Sequence, residues 1–127
     1  MADSFPEGDG SVRFSALGSG EPMADEQLAA AYSYPAGLTV RGNAVSSLDG
    51  GATTDGTSGG LGGPGDRALF ALLRELADVI LVGAGTARAE GYSGARMTVA
   101  QRHRRRDRGQ PEVPPIALVS RTGVLDP

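Results

Sequence analysis

The sequence predicts an α/β fold, and three observations carry that prediction. A helix pattern beginning at Asp66 runs into the apolar strand Val79–Val82. That strand leads at once into a glycine turn, Gly83-Ala84-Gly85-Thr86. A second apolar strand, Ile116–Val119, ends in a turn of its own at Ser120-Arg121. Helix, strand, glycine turn and strand is the order of an α/β sheet, in which ligands bind beyond the carboxyl ends of the strands.

The first elements are weaker. Residues 1–22 are rich in Gly, Ser, Asp, Glu and Pro, and read as a flexible arm with a short extended piece at Val12–Leu17. Asp25–Tyr34 predicts a helix: Asp25 is the expected N-cap, Glu26 sits in the first turn and Pro35 stops it. Leu28, Ala31 and Tyr32 share one face, as in an outer packing element. Leu38–Leu48 alternates as a strand, with Arg41, Asn43, Val45 and Ser47 on one side. An edge strand and a strand facing a ligand on its polar side both fit that pattern.

Asp49–Gly65 holds eight glycines in seventeen residues. A loop of that length between ordered segments reads as a lid over a ligand. The central helix starts at Pro64-Gly65-Asp66, with Asp66 as N-cap or first-turn acid, and ends at Asp78. Leu69, Phe70, Leu73 and Leu76 form the stripe of a helix packed on a sheet, leaving Arg67, Arg74 and Glu75 mostly off it. Val79–Val82 is apolar throughout, as a strand covered on both faces should be. Ala87–Tyr92 predicts one or two helical turns. Residues 93–115 read as polar and irregular, and the basic run at 101–108 as a solvated surface helix or loop, since no aromatic interleaves it.

Composition excludes whole classes of chemistry. The 127 residues suffice for one domain, but hydrophobic residues make up only 39%, and 20 Gly with 8 Pro imply long loops around a small core. All 12 basic residues are Arg, so no Lys can form a Schiff base or act as general base or Walker lysine. There is no Cys, which removes disulfides, zinc fingers and thiol nucleophiles. His103 is the one His and lies inside the Arg run, so no metal site is expected. A net charge of −3 argues against a nucleic-acid partner. No apolar run has membrane-spanning length and the N-terminus lacks a signal peptide's pattern, so the expected location is the cytoplasm, with no membrane partner.

The strand ends carry the chemistry that remains. At Gly83-Ala84-Gly85-Thr86 the glycines let a phosphate approach the backbone, and the Thr86 hydroxyl adds a donor. The Rossmann fingerprint fails because Arg88 stands at its sixth position, and the P-loop fails for want of Lys. Arg121 can grip a ribose 2′-phosphate with a bidentate fork, which favours NADPH over NADH, and Arg88 can help with the phosphates. Asp66, at the mouth of a cleft, is a candidate catalytic acid for protonating a heterocycle, set against the commoner role of a plain helix cap.

Asn43-Ala44-Val45-Ser46-Ser47-Leu48-Asp49-Gly50, followed by Leu76–Glu90 (LADVILVGAGTARAE), resembles the pyrimidine reductase domain of riboflavin biosynthesis, in its stand-alone actinobacterial branch. The resemblance covers about residues 38–125 and implies the dihydrofolate reductase fold, a three-layer α/β/α arrangement around a mixed, mostly parallel sheet. Only the N-terminal half of that domain is expected here, over residues 23–127. The resemblance implies hydride transfer from NADPH to a ribosylamino-pyrimidine substrate, in an enzyme that forms homodimers at full length. Gly83, Gly85, Thr86 and Arg88 would meet the cofactor phosphates, and Ser120 and Arg121 the 2′-phosphate end. The Val45 backbone would meet the nicotinamide amide. Asn43, Ser47 and Asp49 would line the substrate side, with Asp66 where dihydrofolate reductases hold their pterin-binding acid.

This sequence departs from the family at Asn43, usually Lys, and at Glu90, usually Asp. The family's later Gly-Gly turn over the pyrophosphate is also missing. Pterin reduction, supported by Asp66 and Asn43, and an inactive nucleotide-binding fragment are the alternative readings.

Overall fold

The structure is a computed structural model and describes residues 12–52, 61–91 and 93–124. Residues 53–60 of the lid segment lie outside the described residues, as do residues 1–11 of the N-terminal arm and Tyr92.

Six elements follow one another: α1 (Asp25–Ala31), α2 (Pro64–Leu76), β1 (Ile80–Gly83), α3 (Ala84–Ala89), α4 (Val99–Asp107) and β2 (Ile116–Val119). β1 and β2 pair in parallel, Ile80 opposite Ile116 through Gly83 opposite Val119. The α/β prediction holds, with β2 where the sequence placed it and β1 one residue later. Parallel neighbours require a crossover, and α3 and α4 supply it. α3 packs against both strands, and α4 packs against α2.

Helix α1 begins after Ala24 rather than at an Asp25 cap. Ala24 has no side-chain acceptor, so its N–H instead donates to Gln27 Oε1 at 2.8 Å, and Asp25 becomes the first helical residue. Helix α2 begins as expected, with Pro64 at its first position and Asp66 in its first turn, after a Gly63 N-cap. It stops at Leu76, two residues earlier than expected, because Ala77 turns to an extended conformation. Leu73 and Leu76 of its apolar stripe are buried, Leu69 is half-buried and Phe70 is 40% exposed.

Two predicted features differ. Residues 38–48 form no strand; the run makes no sheet pairing, and Leu38, Val40 and Leu48 are exposed. A strand exists only through a partner, and neither β1 nor β2 pairs with it. The sheet is also open on one side: Val82 is buried, whereas Leu81 is 57% and Val119 62% exposed. The expectation of a strand covered on both faces therefore fails. Around Val12–Leu17 the extended piece is a single bridge, Ser15 opposite Pro22.

The region 93–115 is ordered by α4, whose Thr98 cap accepts from the Gln101 N–H at 3.2 Å while the Gln101 side chain bonds back to the Thr98 N–H. Arg102, Arg104, Arg106 and Arg108 are exposed, as a surface helix requires, but the run also turns one side onto the end of α2. Arg105 is fully buried, and its guanidinium donates to Glu75 O (2.6 Å), Ala77 O (2.8 Å) and Pro111 O (2.7 Å). Arg104 grips the Glu75 carboxylate with two bonds, of 2.9 and 2.7 Å, and Arg108 reaches both Glu75 O and Oε1. Gln110 adds a bond to Leu76 O. Together these side chains satisfy carbonyls that the end of α2 leaves without helical partners. The same bonds explain why Glu75, expected off the buried stripe, is only 2% exposed.

Candidate functional site

The register of the two strands decides where the turns lie. Gly83 faces Val119, so Gly83-Ala84-Gly85-Thr86 and Ser120-Arg121 emerge side by side at the carboxyl ends of β1 and β2. No separate turn intervenes after β1: Gly83 is both the last strand residue and the N-cap of α3, and Ala84–Thr86 already form the first helical turn. A side chain at Gly85 would meet nothing within 4 Å, so a ligand can approach that backbone freely. The Ser120 hydroxyl oxygen accepts from the Thr122 and Gly123 N–H groups at 3.3 and 3.1 Å, which leaves its proton free to donate. Gly123 holds φ +71, the left-handed conformation that closes this turn. Arg88 and Arg121 are exposed and make no ion pair among the described residues.

A cleft of about 620 Å³ lies beside this edge. Its walls are residues 37–43, the Phe70–Arg74 side of α2, and the whole of β1, with Thr86 at one end. Among the predicted site residues it gathers Asn43, Gly83 and Thr86. Val45, Ser47, Asp49 and Asp66 do not line it, nor do Gly85, Arg88, Ser120 and Arg121.

Ser47 and Asp49 form a turn of their own. The Ser47 hydroxyl bonds to Asp49 Oδ1, the Gly51 N–H donates to Ser47 Oγ at 2.9 Å, and Ser47 N donates to Gly51 O at 2.9 Å. The Ser47 hydroxyl, then the backbone N–H groups of Asp49 and Gly51, hold the Asp49 carboxyl below the usual aspartate range. Asp66 sits half-buried in the first turn of α2, its carboxylate against Gly62, so closely that a Cβ at residue 62 would lie 2.5 Å from Oδ2. The geometry is that of a first-turn helix acid.

The cleft also holds groups that sequence reasoning did not assign to a site. Arg41 stacks over the Tyr34 ring at 4.4 Å and the Tyr32 ring at 5.7 Å, and donates to Tyr32 O at 2.6 Å. Arg74 stacks over Phe70 at 5.2 Å. Two arginines on aromatic faces against one acid, Asp78, make the lining net positive. Arg41 was legible as a polar-face neighbour of Asn43; the Tyr34 contact was not, because it depends on how the chain folds back after α1. Among the described residues no cluster of His, Cys, Asp or Glu could hold a metal, and no helix is long and apolar enough to cross a membrane.

Residues 38–127 match the family model of the RibD C-terminal domain. Among solved structures, a pyrimidine reductase-like protein from Corynebacterium diphtheriae is similar, at 36% identity and a TM-score of 0.59. That likeness covers 65% of this chain and 34% of the other, so the match spans about a third of the relative's length. No curated protein gives a match.

Proposed function

This chain belongs to the RibD C-terminal domain family, a reductase family of the riboflavin pathway, and from that premise we propose that it forms the nucleotide-binding side of an NADPH-dependent reductase acting on a ribosylamino-pyrimidine. The observation that carries the proposal is the parallel register, which sets Gly83–Thr86 and Ser120-Arg121 on one edge of the sheet.

The residues at that edge fit a dinucleotide phosphate. The backbone at Gly85 is open, the Ser120 proton is free, and the Arg88 and Arg121 guanidiniums point no hydrogen bond elsewhere among the described residues. Gly83, Gly85, Thr86 and Arg88 would hold the phosphates, and Ser120 and Arg121 the 2′-phosphate, where a planar guanidinium pairs with two oxygens at once. When bound, the nicotinamide supplies the hydride. The protein's part is orientation and charge: Asn43 at the cleft and, beyond it, the Val45 backbone and the Ser47–Asp49 turn would line the nicotinamide and substrate. A full-length homodimer in the cytoplasm belongs to the same reading.

The pterin alternative draws on Asn43 and Asp66. Only Asn43 lines the cleft, so no geometry favours it. The test is NADPH oxidation with the ribosylamino-pyrimidine and, in parallel, with dihydrofolate. Oxidation with the pyrimidine alone is expected. Oxidation with dihydrofolate alone would replace the proposal by the pterin reading, and tight NADPH binding without turnover would leave a nucleotide-binding module.

A further inference from the structure

The two strands place the turns at their carboxyl ends, yet their own sequences do not select how they line up. Val79–Val82 and Ile116–Val119 are apolar at every position, so a slip of two residues returns the same kind of side chain to each face. Such a slip also restores the parallel bonding pattern wherever the strands still overlap, and a ladder of four residue pairs is short. It would carry Ser120-Arg121 about 7 Å along the sheet relative to Gly83.

The offset is set before the strands begin. Helix α4 ends in a turn at Gly109, which holds φ +75, and the Gly109 and Gln110 N–H groups donate back to Arg106 O and Arg105 O at 2.8 and 2.9 Å. Beside that turn the buried Arg105 ties Glu75 and Ala77, ahead of β1, to Pro111, ahead of β2, through one planar guanidinium. The Gln110 amide adds bonds to Leu76 O at 3.1 Å and Asp78 Oδ1 at 2.8 Å. Residues 75–78 and 110–111 are thus stapled together. From there to Ile116 the chain is stiff, because Pro111, Pro114 and Pro115 have φ locked by their rings and Pro114 is fully buried. Where the pairing opens, Pro115 O accepts the Ile80 N–H at 3.0 Å.

We propose that Arg105 and Gln110 are positioning residues for the site at the far end of the strands. Their staple, transmitted along the proline spacer, selects the register that sets Arg121 beside Gly83–Thr86. Neither residue touches a ligand; both act through Arg121. The effect on the cofactor rests on the nucleotide reading, whereas the effect on register does not.

The experiment compares the intact 127-residue chain with Arg105→Met and with Gln110→Ala. The second variant leaves the buried Arg105 and Glu75 in place, should the first fail to fold. Inter-strand nuclear Overhauser contacts read the register, and calorimetric titration reads NADPH and NADH binding. Wild type is expected to pair Ile80 with Ile116 through Gly83 with Val119. Each variant is expected to show a second set of contacts, displaced by two residues. With no more than about a third of the molecules left in the native register, NADPH binding weakens about threefold or more, since apparent affinity falls with the competent fraction. NADH binding stays nearly unchanged. On an Arg121→Ala background the same substitutions cause no further loss, whereas a role in stability alone would add to it and would lower both cofactors together.

A native register in both variants overturns the proposal. So does a displaced register with NADPH preference intact, or equal weakening of the two cofactors. A displaced register in the variants, beside a wild-type chain with no preference for NADPH, overturns the cofactor reading and upholds the staple.

Discussion

Replacing Arg105 by Met tests the clamp that ends α2. Methionine nearly keeps the stem's volume and removes the guanidinium. Three carbonyls lose a donor: Glu75, Ala77 and Pro111. Glu75 O keeps Arg108 Nη2 at 3.1 Å, so two carbonyls, Ala77 and Pro111, lose their one described partner. Ala77 is buried, and an orphaned buried polar group costs about 1–3 kcal/mol, whereas Pro111 is exposed and water can take the place of its lost donor. Against this, the wild-type side chain buries a full charge whose Nη2 has no partner, and removing that desolvated group returns part of the loss.

The expected net destabilisation is therefore about 1.5 kcal/mol. Urea unfolding followed by far-UV circular dichroism should show the midpoint falling by about 0.5–1.5 M, given slopes of about 1–3 kcal/mol per M. Arg105→Lys should recover only a fraction, because a single ammonium on a flexible stem cannot reproduce the planar fork that bridges these carbonyls. A change below about 0.5 kcal/mol for Arg105→Met would refute the reasoning, since it would mean that water satisfies the end of α2 equally well.

Other expectations follow from the same coordinates. Burial pushes the Glu75 carboxyl up, and the hydrogen bonds and charges of Arg104 and Arg108 more than offset this, so its pKa lies below the usual glutamate range. A lowered folded pKa means that its stabilisation is complete above the ordinary glutamate pKa and is lost as pH falls through the folded value. The stability-versus-pH curve of Glu75→Gln should therefore be flatter than wild type on the acid side; an equally steep curve would assign the acid sensitivity elsewhere. Thr98→Ala removes the cap of α4 and should cost about 1 kcal/mol in thermal or urea unfolding, because the bond from Gln101 N is lost. Arg121→Ala should weaken NADPH binding by tenfold or more while leaving NADH nearly unchanged by calorimetric titration. Equal weakening of both would show that Arg121 does not read the 2′-phosphate.

The correct parts of the sequence reading all rest on short-range signals. Pro64 followed by Asp66 marks the start of α2, and Ile116–Val119 marks β2, because caps, prolines and apolar runs act over a few residues. The Thr98–Gln101 capping box is of the same kind and was legible, yet it was hidden by the polarity of the segment around it. The misread parts concern partners. Glu75 and Arg105 look like surface charges by letter and are buried, because each supplies what the other's surroundings need across about thirty residues of chain. Arg41 becomes part of the cleft only once Tyr34 has folded against it.

By itself, then, the sequence determined the α/β class, the helix that precedes β1, its two apolar strands, and the glycine and serine–arginine turns that follow them. The tertiary structure alone decided which groups meet. It set the two turns on one edge through the parallel register, and left Asp66 at a helix start away from the cleft. It turned Arg105 inward onto the end of α2, and left residues 38–46 extended and unpaired beside β1. The reason is physical: propensities and caps are paid out within a turn of chain, whereas strand pairing, burial of charge and the satisfaction of carbonyls depend on segments far apart in sequence.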